Sequence, residues 1–178
     1  MRAMIGRRAV DAGNAFRTMA GLEGRSRCSW PVRSRFYAEM DAVHPTPGLI
    51  VLLDHLERLE IPRAVATSSR RPYAEGLLTR HGLIGHFQFL LCGDDVTHGK
   101  PHPEVYLTAA RRFGLPPRSL LVLEDSPAGI AAARAAGAFA VGVPHEHSPA
   151  EGLSEANLIV DRLDAPALLA RVRRVEPI

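Results

Sequence analysis

Glu124 and Asp125 stand side by side at the end of the apolar run Leu120-Leu121-Val122-Leu123 and directly before Ser126-Pro127. Two adjacent carboxylates suit a hard cation such as Mg2+, which uses one or two carboxylates and completes its shell with water and phosphate oxygens. The bland alternative is that one carboxylate caps the next helix and the other is solvated. Two further groups bear on the choice. Lys100 is the only lysine among 22 basic residues, within Gly99-Lys100-Pro101-His102-Pro103. Its ammonium is a compact charge on a flexible stem, which arginine's planar fork does not reproduce. Thr67 and Ser68 follow the apolar Ala64-Val65-Ala66. A strand-end threonine is commonly a cap and a loop lysine is commonly solvated, so neither counts for much alone. Hydroxyl, ammonium and metal-binding carboxylates together are the parts that grip a phosphoryl group.

The elements that must position these groups alternate. Pro47 begins an amphipathic helix, capped by Thr46, with Leu49, Leu52, Leu53, Leu56 and Leu59 on one face. Arg63 to Thr67 reads as a strand, Arg71 to His81 as a helix stopped by Gly82, and Phe87 to Cys92 as a strand. Pro103 begins a helix that Gly114 closes after Phe113. Leu120 to Leu123 is a short apolar run of the kind buried on both faces of a parallel sheet. Ser126 caps the helix that follows, with Pro127 at its first position and Gly137 at its end. Phe139 to Val143 and Leu158 to Val160 are further strands, and a last helix spans about Pro166 to Arg173. This alternation predicts an α/β fold, a doubly wound, Rossmann-like parallel sheet with helices on both faces. In such sheets ligands bind at the carboxyl ends of the strands, where Thr67, Glu124 and Asp125 fall.

Residues 1–44 differ. Ala9 to Ala20 and Val32 to Met40 carry helical spacing, no strand signal is present, and His44-Pro45-Thr46-Pro47-Gly48 reads as a hinge. Eight arginines within residues 1–35 form a basic patch that a solvated helix face explains, since no aromatic interleaving or binding motif points to nucleic acid. No apolar run approaches the roughly 18 residues needed to span a membrane. Cys28 and Cys92 form neither a disulfide framework nor a metal-ligand pattern, so both read as ordinary thiols in a reducing, cytoplasmic setting.

Val65-Ala66-Thr67-Ser68, Gly99-Lys100-Pro101-His102-Pro103 with Tyr106, and Val122-Leu123-Glu124-Asp125-Ser126 with Gly129, Ala132 and Gly137 resemble the second, third and fourth motifs of the haloacid dehalogenase-like (HAD) hydrolases. The similarity runs from 47 to 145 and is greatest to the phosphatase and β-phosphoglucomutase-like branch. Residues 1–44 resemble part of that branch's helical cap, with 45–178 as the α/β core and Gly6-Arg7-Arg8 similar to the cap's Gly-Arg-Ser turn. The resemblance implies that Thr67 and the Ser68 amide bind phosphoryl oxygens, that Lys100 neutralises nucleophile and phosphate, and that Asp125, helped by Glu124, holds Mg2+. It implies a phosphatase acting on a small phosphorylated metabolite, with a phosphosugar mutase or a catalytically inactive remnant binding phosphate or a partner as alternatives; the chain itself reads as a monomer.

One part of the family pattern is missing. The first motif is an apolar strand ending in Asp-x-Asp-Gly, which supplies the nucleophile and the general acid and base. No Asp-x-Asp occurs in this chain. Asp11 and Asp41 lie in helical context and Asp54 lies inside an amphipathic helix. The expectation is therefore a sheet without its first central strand and a chain with little or no turnover.

Overall fold

The computed structural model describes residues 2–5, 43–145, 148 and 150–172. The expected cap helices within 6–42, together with Arg8 and Cys28, lie outside the described residues. In chain order the strands are β1 (Arg2–Ile5), β2 (Ala64–Ala66), β3 (Leu90–Leu91), β4 (Leu120–Glu124), β5 (Phe139–Gly142) and β6 (Leu158–Ile159). The helices are α1 (Leu49–Arg58), α2 (Arg71–Arg80), α3 (Glu104–Phe113), α4 (Pro127–Ala135) and α5 (Pro166–Leu169). Every ladder is parallel, and the sheet order is β3-β2-β1-β4-β5-β6. This is the doubly wound order in which the winding reverses between β1 and β4.

Alternation along β4 builds the two layers. Leu120 and Val122 face one core with Tyr106, Ala109 and Ile130, which α3 and α4 contribute. Leu121 and Leu123 face the other with Leu49, Leu52, Leu53 and Leu56 of α1 and Leu168 of α5. All five β4 residues are buried, as an apolar strand covered by helices on both faces must be. The small residues Ala132 and Ala133 let α4 lie close to the sheet.

Three details correct the sequence expectation. The first concerns the missing central strand: Arg2–Ile5 occupies that place. Its backbone pairs with β2 through Met4 opposite Ala64, and with β4 from Arg2 opposite Leu120 to Ile5 opposite Leu123. Arg-Ala-Met-Ile carries little β-propensity, and its strand state comes from two flanking ladders supplied by residues more than fifty positions away. Without it, β2 and β4 would each present an unpaired edge at the middle of the sheet. The assignment of 1–44 as cap therefore does not hold for residues 2–5.

The second detail is the start of α1. Gly48, not Thr46, is its N-cap, at φ 85°, and Thr46 contributes only its carbonyl, which accepts the Leu49 N–H at 3.1 Å. A Cβ on Gly48 would come within 2.4 Å of the Asp164 backbone nitrogen, so both its dihedral and its close neighbour require glycine. The third is length: β3 is Leu90–Leu91 within the expected Phe87 to Cys92, and α5 ends at Leu169. β3 is an edge strand, with a ladder to β2 alone among the described residues.

Cys92 is fully buried and its thiol is pushed up to about 11 by burial, with Arg71 opposing the rise. It is an inert core thiol. No helix among the described residues is long and apolar enough to cross a membrane.

Candidate functional site

β4 delivers Glu124 and Asp125 to the carboxyl edge of the sheet beside the point where the winding reverses. Ser126 then caps α4: it sits at φ −129°, and its Oγ accepts the Gly129 N–H at 3.1 Å, with Pro127 at the first helical position. Strand, acidic turn and capped helix are thus as the local sequence predicts.

The two carboxylates diverge. Glu124 is 1% exposed and turns inward. Its Oε1 accepts hydrogen bonds from Lys100 Nζ and from the Tyr106 hydroxyl, and its Oε2 accepts from Ser126 Oγ at 3.1 Å. The sequence places Glu124 beside Asp125 as a metal carboxylate; in the structure its oxygens serve Lys100, Tyr106 and Ser126 instead. A carboxylate this buried needs a counter-charge and donors, and Tyr106 and Lys100 supply them from α3 and the loop before it. Gly129 makes room for it, since a Cβ there would lie 1.9 Å from Glu124 Oε2.

Lys100 is correspondingly fixed. Its side chain is 4% exposed, its ammonium donates to Glu124 and, at 3.3 Å, to the Ala66 carbonyl, and it lies 5.2 Å from the Tyr106 ring centroid. Two of three ammonium donors are engaged among the described residues. The Ala66 contact carries Lys100 to the end of β2, immediately before Thr67. Thr67 is buried, its N–H joins β3 through the Leu91 carbonyl at 2.8 Å, and its Oγ1 accepts the Ser69 N–H at 3.1 Å. That last bond folds Thr67-Ser68-Ser69 into a tight turn at the strand end. Arg70, the exposed N-cap of α2, follows it.

Asp125 points elsewhere. Its Oδ2 lies 3.5 Å from His145 Nε2, while Oδ1 is buried and meets no donor among the described residues. Burial and the neighbouring Glu124 charge raise its carboxyl above the usual range, against the opposing pull of His145 and Lys100. An unsatisfied buried carboxylate oxygen at a strand end is the donor a hard cation takes, so this residue fits Mg2+ on its chemistry. The sequence reading misses His145. The strand-end rule would have reached it, because it closes the turn after β5 at the same edge, but nothing in Val143-Pro144-His145 marks it out.

A family model for haloacid dehalogenase-like hydrolases matches residues 15–143. The chain belongs to this family. Among relatives of the HAD chain, a validoxylamine A 7'-phosphate phosphatase from Streptomyces hygroscopicus subsp. limoneus is 36% identical over 164 residues, covering 92% of this chain and 76% of that protein. Hexitol phosphatase A of Escherichia coli (strain K12) is 35% identical over 130 residues, covering 71% of this chain and 57% of that one. A structure of CbbY from Rhodobacter sphaeroides in complex with phosphate superposes with a TM-score of 0.73 at 21% identity, over 96% of this chain and 99% of that one. At that identity the likeness is one of fold, and it agrees with the sheet described above.

Proposed function

We propose that this HAD chain carries the phosphate- and metal-binding half of a Mg2+-dependent phosphomonoesterase that acts on a small phosphorylated metabolite of the sugar or polyol type. The observation that supports it best is the placement of Lys100, which bridges Glu124 at the end of β4 to the Ala66 carbonyl at the end of β2. That bridge sets one ammonium beside Thr67 and next to Asp125, which is the charge pattern a phosphoryl group requires. The named relatives, two of them phosphatases of phosphorylated carbohydrate-like compounds, support the substrate class.

Each residue has a distinct task in this reading. Thr67 and the Ser68 amide hydrogen-bond phosphoryl oxygens. Lys100 balances their charge with its remaining donor. Glu124 positions Lys100, and Asp125 holds Mg2+ through the oxygen that meets no donor among the described residues. When bound, Mg2+ supplies charge neutralisation on the phosphoryl oxygens. Two cysteines that form no disulfide framework in the sequence fit a reducing, cytoplasmic setting for this activity.

Turnover is another matter. β1 ends at Ile5, level with Leu123 and Val65, and the next residues are Gly6-Arg7-Arg8-Ala9-Val10. The sequence has no Asp-x-Asp motif to supply the nucleophile, and loss of a covalent nucleophile costs orders of magnitude in rate. The 178-residue chain should therefore bind without hydrolysing. Thermal melting with Mg2+ plus inorganic phosphate or vanadate should raise Tm, and Asp125→Asn or Thr67→Ala should remove the rise, while p-nitrophenyl phosphate turnover stays at background. Robust hydrolysis abolished by Lys100→Ala would overturn the claim that turnover needs the missing Asp-x-Asp segment. Absence of any Mg2+- or phosphate-dependent shift would sink the binding site.

A further inference from the structure

The loop that carries Lys100 and the first residue of α3 together hold three side chains that the phosphate site does not use. We propose that His98, His102 and Glu104 form a second metal site, for a borderline divalent ion of the Zn2+ type, distinct from the Asp125 site. His98 Nδ1 lies 2.9 Å from Glu104 Oε2, and His102 Nδ1 lies 4.0 Å from the same oxygen. Two ligands bound to one ion at about 2.0–2.1 Å each cannot be more than about 4.2 Å apart. Both separations satisfy that limit. One donor atom from each of the three residues lies within 4.8 Å of the others, so closing the widest gap takes a movement of at most roughly 0.6 Å to reach the same limit.

The cluster is held ready by its surroundings. Glu104 Oε1 accepts the Thr97 N–H at 2.8 Å and Oε2 accepts the His98 N–H at 2.9 Å, so the carboxylate is fixed by two backbone donors before any ion arrives. The His98 and His102 rings face one another at 4.6 Å between centroids, tilted by 36°. Both are open to solvent, with side chains 63% and 51% exposed, so an ion reaches them directly and would replace at His102 Nδ1 the bond it accepts from the Glu104 N–H at 3.3 Å. Pro101 and Pro103 restrict the backbone on either side of His102.

Donor type separates this site from the first. Two imidazoles and one carboxylate, with remaining positions left to water, suit Zn2+ and its transition-metal neighbours, whereas Mg2+ selects an all-oxygen shell. Placement gives the ion a consequence. His98 and His102 stand two residues before and two residues after Lys100, so an ion bound by both would tie down the two ends of Gly99-Lys100-Pro101 and stiffen the support of the ammonium.

The test uses the whole 178-residue chain, stripped with a chelator, and titrated with Zn2+ alone by calorimetry, then with Co2+ while its visible absorption is followed. The expected result is one site of unit stoichiometry, with a Co2+ spectrum showing nitrogen ligation. Loss of even an outer-shell group costs a metal site about 10- to 100-fold in affinity, so His98→Ala and His102→Ala should each weaken Zn2+ binding at least about tenfold. Asp125→Asn should leave it unchanged. Both histidines are surface residues, and matching circular dichroism and melting curves of the metal-free variants would show that the fold survives. Equal Zn2+ affinity in the His98→Ala/His102→Ala double variant, loss of the site in Asp125→Asn, or no Zn2+ binding by the wild-type chain would each overturn the proposal.

Discussion

Lys100 and Glu124 form a buried ion pair, 4% and 1% exposed, that joins the loop before α3 to the end of β4. A buried pair gains little over a well-packed apolar pair, but breaking one leaves an uncompensated charge. Lys100→Ala should therefore destabilise the chain by about 3–5 kcal/mol. Urea unfolding measures it. Lys100→Met combined with Glu124→Leu should recover much of that loss while abolishing any phosphate-dependent shift in Tm, which separates the pair's structural part from its functional one.

Tyr106 is fully buried and its hydroxyl serves the same carboxylate oxygen. Burial, with Glu124 beside it, holds the phenol well above its ordinary pKa, so it remains a donor. Tyr106→Phe keeps the ring and removes one hydrogen bond to a charged group, at a cost of about 1.5–3 kcal/mol. A loss under roughly half of that in denaturant titration would mean that Glu124 finds another donor.

Gly129 lies in the first turn of α4, where alanine would ordinarily favour the helix by about 1 kcal/mol. Here the added methyl would lie 1.9 Å from Glu124 Oε2. Gly129→Ala should instead destabilise, by about 1–3 kcal/mol, because it forces the carboxylate away from Lys100, Tyr106 and Ser126. A rise in Tm for this variant would contradict the packing described.

Glu104 is held down to about 2 by the Thr97 and His98 backbone donors and the His98 ring, from an ordinary 4.5. Its folded pKa is depressed, so the unfolded chain binds more protons between these values. The stability it contributes is complete above about 4.5 and is lost as pH falls toward about 2. Glu104→Gln should flatten the acid limb of a stability–pH curve over that window. An unchanged acid limb would mean that the loop bonds do not persist in solution.

The local devices follow from the sequence alone. Ser126-Pro127 at the start of α4, Gly114 and Gly137 past the ends of α3 and α4, and the unbroken apolar run of β4 are all decided by neighbours within a few residues. The positions of Thr67, Lys100 and Asp125 at one edge were legible too, because helix–strand alternation sets a parallel sheet and a parallel sheet collects its carboxyl ends together. Relations between distant segments emerge with the folded chain. Arg2–Ile5 is a strand because β2 and β4 flank it, not because of its residues. Glu124 serves Lys100 rather than lying open beside Asp125, because α3 brings Tyr106 and the loop brings an ammonium against it. His145 approaches Asp125 only once β5 is laid beside β4. Hydrogen-bond partners across a sheet and counter-charges in a core carry no sequence period, so they become visible only when the chain is folded.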